Sequence, residues 1–180
     1  GDALVNSTPP GADGLGLLPF FQGERTPDLP QARASFHGLD GQNFTRAHAY
    51  RAAMEGATYA LRNGFDALRR AGLRFEAIRL TGGGSHSAAW RQMIADVFEL
   101  PVQVPCESEG AAFGAALQAL WACHTRGRAE DLVALAHEHV RLRPEQAAQP
   151  RAGQAAAYRD AYSRFLRHLD AAVSFHAART

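Results

Sequence analysis

Three consecutive glycines, Gly82-Gly83-Gly84, stand between an apolar run that reads as a strand, Ala77-Ile78-Arg79-Leu80-Thr81, and a helical run from Ser87 to about Phe98. A second short strand, Val102-Gln103-Val104, follows at once and is ended by Pro105. Strand, helix and strand at this spacing pair in parallel through a right-handed crossover. Trp90, Met93, Ile94 and Val97 recur at spacings of three and four and mark the buried face of the helix. Ser108 can cap a further helix to about His124, with Phe113, Leu117 and Leu120 inward. An α/β fold with parallel strands and crossover helices is therefore expected.

The remaining chain is organised around two long helices. Residues 1–14, rich in Gly, Pro, Asp and Ser, read as a flexible lead-in, and Leu15 to Phe21 as a buried strand with an uncovered edge that invites association. Residues 22–41 read as loop, because Pro and Gly punctuate them throughout. The first long helix is capped by Thr45, carries Tyr50, Met54, Ala57, Leu61, Phe65 and Leu68 on its apolar face, and closes at Gly72. Arg51 and Glu55 lie four apart on it, so Glu55 reads as a structural partner of Arg51 and not as a catalyst. Gly56, Gly110 and Gly114 are expected to permit close packing, at a propensity cost of ~1 kcal/mol each. Beyond Gly127 the pattern is helical: Ala129 to His139, a linker over 144–150, and a last helix with Tyr158, Tyr162, Phe165, Leu169 and Val173 on one face.

Composition narrows the function classes. Hydrophobic residues make up 46% and charged residues 21% of the 180, enough apolar material for a core. A net charge of +1 lacks the basic bias of a nucleic-acid binder. No run of about 18 apolar residues suits a membrane span, and the start lacks a signal-peptide pattern. Cys106 and Cys123 have no CxxC or zinc-like spacing, which fits a reduced, cytoplasmic protein. His137 and His139 are two apart on a predicted helix and read as solvated, not as metal ligands. Without an initiator Met, the chain is expected to be part of something longer.

The chemistry is expected at Gly82 to Ser87. Glycines let a ligand lie directly against the backbone and permit positive φ, and the helix start beyond them offers free N–H groups and a positive dipole end. That geometry suits a nucleotide, although the pattern is neither a P-loop nor a GxGxxG fingerprint. A tight strand-to-helix connection explains three glycines equally well.

The surrounding motifs favour the nucleotide reading. Gly23-Glu24-Arg25-Thr26-Pro27, Phe36-His37-Gly38-Leu39, Arg51-Ala52-Ala53-Met54-Glu55-Gly56, the stretch from Gly82 through Ser87 and Trp90-Arg91-Gln92 to Asp96, and Glu109-Gly110-Ala111-Ala112-Phe113-Gly114 follow one another in order. Together they resemble the C-terminal half of FGGY carbohydrate kinases, from about Gly16 to Ala122 and more loosely over the last helices. The GERTP and GGGxxSxxWRQ forms are most similar to the xylulokinase branch. The resemblance implies a partial ribonuclease H-like lobe of the actin/Hsp70/sugar-kinase type, in which two lobes close over a cleft. Residues 1–126 would belong to the nucleotide-binding lobe, and 127–180 would be a helical extension packed on it.

Carried over by residue, the resemblance makes the turn from Gly82 nucleotide-binding, places Gly83 and Gly84 against adenosine and phosphates with Gly84 as the close-approach position, and gives Ser87 a polar contact to adenine. His86 departs from the Arg common at its position. Glu24 and Arg25 either face the interlobe cleft or form an ion pair that holds a loop. The family's general-base Asp, its N-terminal phosphate loop and its sugar site precede the matched region. No catalytic or metal-binding residue is therefore assigned, and the chain alone is expected to be inactive. The implied activity of the complete protein is phosphorylation of a ketose, D-xylulose to D-xylulose 5-phosphate, with ATP and Mg2+. Alternatives are another sugar of the family (ribulose, gluconate, glycerol or fuculose) or a stand-alone nucleotide-binding or oligomerisation module. The expected partners are ATP and a sugar, with no nucleic acid or membrane and a homodimer left open.

Overall fold

The computed structural model describes residues 1–107, 109–124 and 128–177. In chain order its elements are α1 (Asp2–Asn6), β1 (Gly16–Leu18), β2 (Ser35–His37), α2 (Arg46–Arg70), β3 (Ile78–Arg79), α3 (Ala88–Phe98), β4 (Val102–Gln103), α4 (Gly110–His124), α5 (Ala129–His139) and α6 (Ala152–Ala177). The fold is mixed α/β and mostly helical. β3 and β4 pair in parallel across α3, with Ile78 opposite Val102 and Arg79 opposite Gln103, as the strand–helix–strand pattern predicts. α2 begins where Thr45 accepts the His48 N–H, and ends at Gly72, whose φ of 94° lets Leu73 N–H reach back to Leu68 O. The predicted inner face of α6 is also present, with Tyr158, Phe165 and Leu169 buried. The predicted cap Ser108 lies outside the described residues.

Four expectations need correction. The lead-in is structured: α1 buries Val5, and Gly11 N–H donates to Glu55 Oε1 at 2.9 Å. The 22–41 loop contains β2, which pairs antiparallel with β1, so Gly16–Leu18 has a partner strand on one edge. The 144–150 linker opens with a 3-10 turn, Pro144–Gln146, and then meets β4 antiparallel, where Val102 and Ala148 exchange both backbone hydrogen bonds. Finally, α2 is rotated from its predicted face. Tyr50, Leu61 and Leu68 are exposed, while Arg51, Ala52, Glu55, Gly56, Thr58 and Tyr59 are buried. Apolar periodicity missed this because the buried face is built from small and paired polar residues.

β1 divides the interior. Leu18 and Phe20 enter the main core with Tyr59, Met93, Ile94, Val97, Phe165 and Leu169, while Leu15 and Leu17 pack on the other face with Ala12 and Ala52. This alternation is the two-residue period of a strand. α2 approaches β1 closely at Gly56, where an added Cβ would collide with the Leu17 carbonyl.

A buried ion pair joins these layers. Arg51 Nε meets Glu55 Oε1 at 2.7 Å, with side chains only 5% and 3% exposed. Arg51 also donates to Val5 O and Thr8 O at 2.6 Å and to Tyr158 Oη at 2.8 Å, and Tyr59 Oη donates to Glu55 Oε2 at 3.3 Å. Burial pushes the Glu55 carboxyl above the usual carboxylate range, opposed by the Gly11 N–H and Arg51. Breaking one member leaves the other charged and unpaired. Glu55→Ala or Arg51→Ala should therefore cost about 3–5 kcal/mol in denaturant unfolding, with Glu55→Gln milder.

A second polar contact closes the sheet against α6. The His37 ring stacks on His168 with centroids 4.1 Å apart and planes 12° apart, and His37 Nε2 lies 2.8 Å from Ser35 Oγ. Burial holds both imidazoles below the ordinary value of 6.5, and His37, Arg167 and Arg164 add to the effect on His168. The unfolded chain then takes up protons at a higher pH than the native one does. The stack's stabilising contribution is thus complete above pH 6.5 and is lost as pH falls through the depressed native values. Thermal melts from pH 7.5 to 5 should show a decline that is shallower in His168→Phe.

Candidate functional site

β3 and β4 end on the same edge of the sheet. From β3 the chain passes through the glycine turn into α3, and from β4 it passes toward α4. Crevices outside the carboxyl ends of parallel strands are the usual ligand positions in open α/β sheets. Gly82 has φ 79°, a conformation that favours glycine, and Gly83–His86 form one tight helical turn. Ser85 secures it by donating its N–H and Oγ to Gly82 O at 3.0 and 2.7 Å. Arg91 Nη1 donates to Ser85 O at 2.6 Å and brings a positive charge to the turn. Gly110, the first residue of α4, packs beside the root of the turn, its Cβ position 3.3 Å from Thr81 Oγ1. The starts of two helices therefore flank the glycines; the N–H groups at the start of α3 are already taken by Asp2 and Ser87, and the dipole at the start of α4 favours an anion.

The three glycines are not equivalent. Nothing lies within 4 Å of a Cβ placed on Gly82 or Gly83, so their surfaces are open. A Cβ on Gly84 would fall into the six-membered ring of Trp90. Gly84 is thus the close-approach position, but the group approaching it in this structure is an indole of the same chain. That indole donates from Nε1 to the buried Thr58 Oγ1 at 2.9 Å.

Ser87 is the N-cap of α3: its Oγ accepts the Trp90 N–H at 3.0 Å and donates to Asp2 Oδ1 at 2.6 Å. Asp2 Oδ2 accepts the Ala89 N–H at 3.1 Å. The Ser87 hydrogen bond is the largest cause holding the Asp2 carboxyl below its ordinary value. A serine hydroxyl has one proton and two lone pairs. With the proton directed to Asp2 and one lone pair to Trp90, Ser87 retains one acceptor position for an N–H of a ligand.

The remaining predicted positions lie elsewhere in hydrogen-bonding terms. Glu24 Oε1 accepts the N–H groups of Arg25 and Thr26 at 2.7 and 3.1 Å, capping its own turn rather than pairing with the Arg25 guanidinium. Arg25 and His86 are exposed, as are His137 and His139. Among the described residues no hydrogen bond or ion pair links Glu24 or Arg25 to the Gly82–Ser87 turn, and no group of three or more His, Cys, Asp or Glu could hold a metal. Sequence reasoning missed Asp2 and Thr58. Asp2 stood in a stretch taken as flexible, and a single threonine inside a helix carries no local signal that an indole will find it.

Residues 3–123 match the FGGY family of carbohydrate kinases, C-terminal domain. A xylulose kinase of Haemophilus influenzae is 48% identical over 166 residues, covering 92% of this chain and 33% of that protein. A gluconokinase of Bacillus subtilis is 41% identical over 115 residues, 63% of this chain and 22% of that protein. The crystal structure of xylulose kinase from Rhodospirillum rubrum superposes with a TM-score of 0.79 at 32% identity, covering 98% of this chain and 34% of that one. The fold is thus that of the sugar kinases of the actin/Hsp70 type, and the chain spans about a third or less of the length of these proteins.

The glycine geometry separates two kinds of variant. Gly84→Ala must displace the Trp90 ring and should destabilise the fold by about 1–3 kcal/mol, whereas Gly83→Ala, facing open space, should leave the melt nearly unchanged. Ser87→Ala removes a helix cap and should cost about 0.5–2 kcal/mol, read in the same unfolding experiment.

Proposed function

From the premise that the chain belongs to the FGGY family of carbohydrate kinases, we propose that the complete protein transfers the γ-phosphoryl group of ATP to a ketose, converting D-xylulose to D-xylulose 5-phosphate. The observation that carries the substrate is the 48% identity to a xylulose kinase across nearly the whole chain. In this proposal residues 1–126 supply part of the ATP lobe and 127–180 a helical extension to it. Gly82 and Gly83 offer bare backbone to adenosine and phosphates, beside the start of α4, where the helix dipole complements negative charge. Ser87 accepts from the adenine amino group with its remaining lone pair. Glu24, Arg25 and His86 face the interlobe cleft.

Phosphoryl transfer relies on positioning and charge stabilisation. This chain supplies the positioning of ATP, while the family pattern puts the general-base Asp and the sugar site upstream. Mg2+ typically binds through one or two carboxylates together with substrate phosphates, so it would arrive with the nucleotide. No helix among the described residues is long and apolar enough to cross a membrane. Cys106 and Cys123 are free thiols, which supports work in a reducing, cytoplasmic setting. Gluconate is the second substrate reading, favoured by the Bacillus subtilis relative.

A coupled ADP-release assay on the full-length protein tests the proposal. Turnover of ~1–10³ s⁻¹ is expected with D-xylulose, with slower turnover of D-gluconate and none from the 180-residue chain alone. Gly83→Val should raise the KM for ATP at least about tenfold, with little change in the KM for sugar. Preference for gluconate would replace the substrate. Absence of turnover with any sugar of the family would favour a module without catalysis.

A further inference from the structure

We infer that Trp90 positions the nucleotide turn, with Thr58 setting the orientation of its ring; the inference rests on the ATP reading of Gly82–Ser87. The indole is the floor of the turn, because its six-membered ring occupies the space where any Cβ on Gly84 would stand. The backbone of Gly84 therefore rests on a flat apolar surface whose height and tilt fix where Gly82 and Gly83 face outward. An indole in a half-buried site can rotate, and here a single hydrogen bond, Nε1 to Thr58 Oγ1 at 2.9 Å, fixes it. Thr58 is fully buried and is itself held, donating to Met54 O at 2.7 Å and lying 3.6 Å from Met93 Sδ. A path of contacts thus runs from the interior of α2, through the indole on the first turn of α3, to the backbone presented to the nucleotide.

The chemical consequence is specific. Neither Trp90 nor Thr58 needs to touch ATP, so both act as positioning residues. Disturbing them should alter the binding of ATP and not the chemistry or the sugar site. Thr58→Val keeps the side-chain shape and removes the hydroxyl, leaving the indole N–H without its acceptor and the Met54 carbonyl without its side-chain donor. Thr58→Ser restores the hydroxyl.

The test uses the full-length kinase, with steady-state kinetics, thermal melts, and the NMR signal of the 15N-labelled Trp90 Nε1–H, assigned by its loss in Trp90→Phe. Thr58→Val should shift that signal and raise the KM for ATP about three- to tenfold, with kcat and the KM for sugar within about twofold. Thr58→Ser should return both signal and KM toward the parent. In the parent, adding a non-hydrolysable ATP analogue should move the Trp90 signal. If Thr58→Val does not fold, Trp90→Phe carries the same kinetic test, since its smaller ring leaves Gly84 unsupported. An unchanged KM for ATP in the folded variants, while Gly83→Val raises it, overturns the positioning role alone. An unchanged KM in Gly83→Val as well overturns the nucleotide reading and the inference with it. Equal losses in kcat, sugar KM and ATP KM would mean a structural role only, and would also overturn it.

Discussion

The Arg51–Glu55 pair is the contact on which the remaining arrangement depends. A charge this deeply buried costs several kcal/mol to desolvate, so it persists only if its hydrogen-bonding capacity is met. Here it is met from two directions outside α2. Carbonyls of Val5 and Thr8 and the N–H of Gly11 come from the N-terminal segment, and the Tyr158 hydroxyl comes from α6. Satisfying one ion pair therefore fixes the N-terminal segment and the last helix against α2. It also positions α1, whose Asp2 reaches the start of α3 and caps it together with Ser87. The core pair and the glycine turn are thus linked through one short helix. Asp96 repeats the device on a smaller scale: its buried carboxylate takes the guanidinium and N–H of Arg151 and so holds the start of α6 to α3.

The glycines divide into two kinds by what they face. Gly56 and Gly84 allow the protein to touch itself, the first against the Leu17 carbonyl and the second against an indole. Gly82 and Gly83 face open space at the carboxyl edge of the parallel strands, and at Gly82 the left-handed φ of 79° favours glycine in its own right. Gly114, expected to permit close packing, has nothing within 4 Å of its Cβ position and serves no such contact among the described residues.

Much of the architecture was legible because it depends on local physics. The crossover between β3 and β4, the Thr45 and Gly72 ends of α2, the Arg51–Glu55 pair and the inner face of α6 all follow from spacing, capping and turn chemistry within a few residues. The missed short segments share one cause. α1 is five residues long, β2 is three, and the 141–148 segment makes only isolated bridges on either side of a short 3-10 turn, Pro144–Gln146; none carries enough periodic signal to stand out. Their conformations are imposed by distant partners, as the Val102–Ala148 pairing shows.

By itself, the sequence determined a parallel strand–helix–strand unit with bare glycines at the carboxyl edge of its strands, because chirality and side-chain size act locally. Tertiary structure alone decided which face of α2 is buried, since a face of Arg, Glu, Thr and Tyr becomes interior only when other segments bring partners to it. It also decided what each glycine meets. Gly82, Gly83 and Gly84 are identical as letters, and only the arrival of Trp90, held by a threonine 32 residues earlier, makes one of them a packing contact and leaves the other two open.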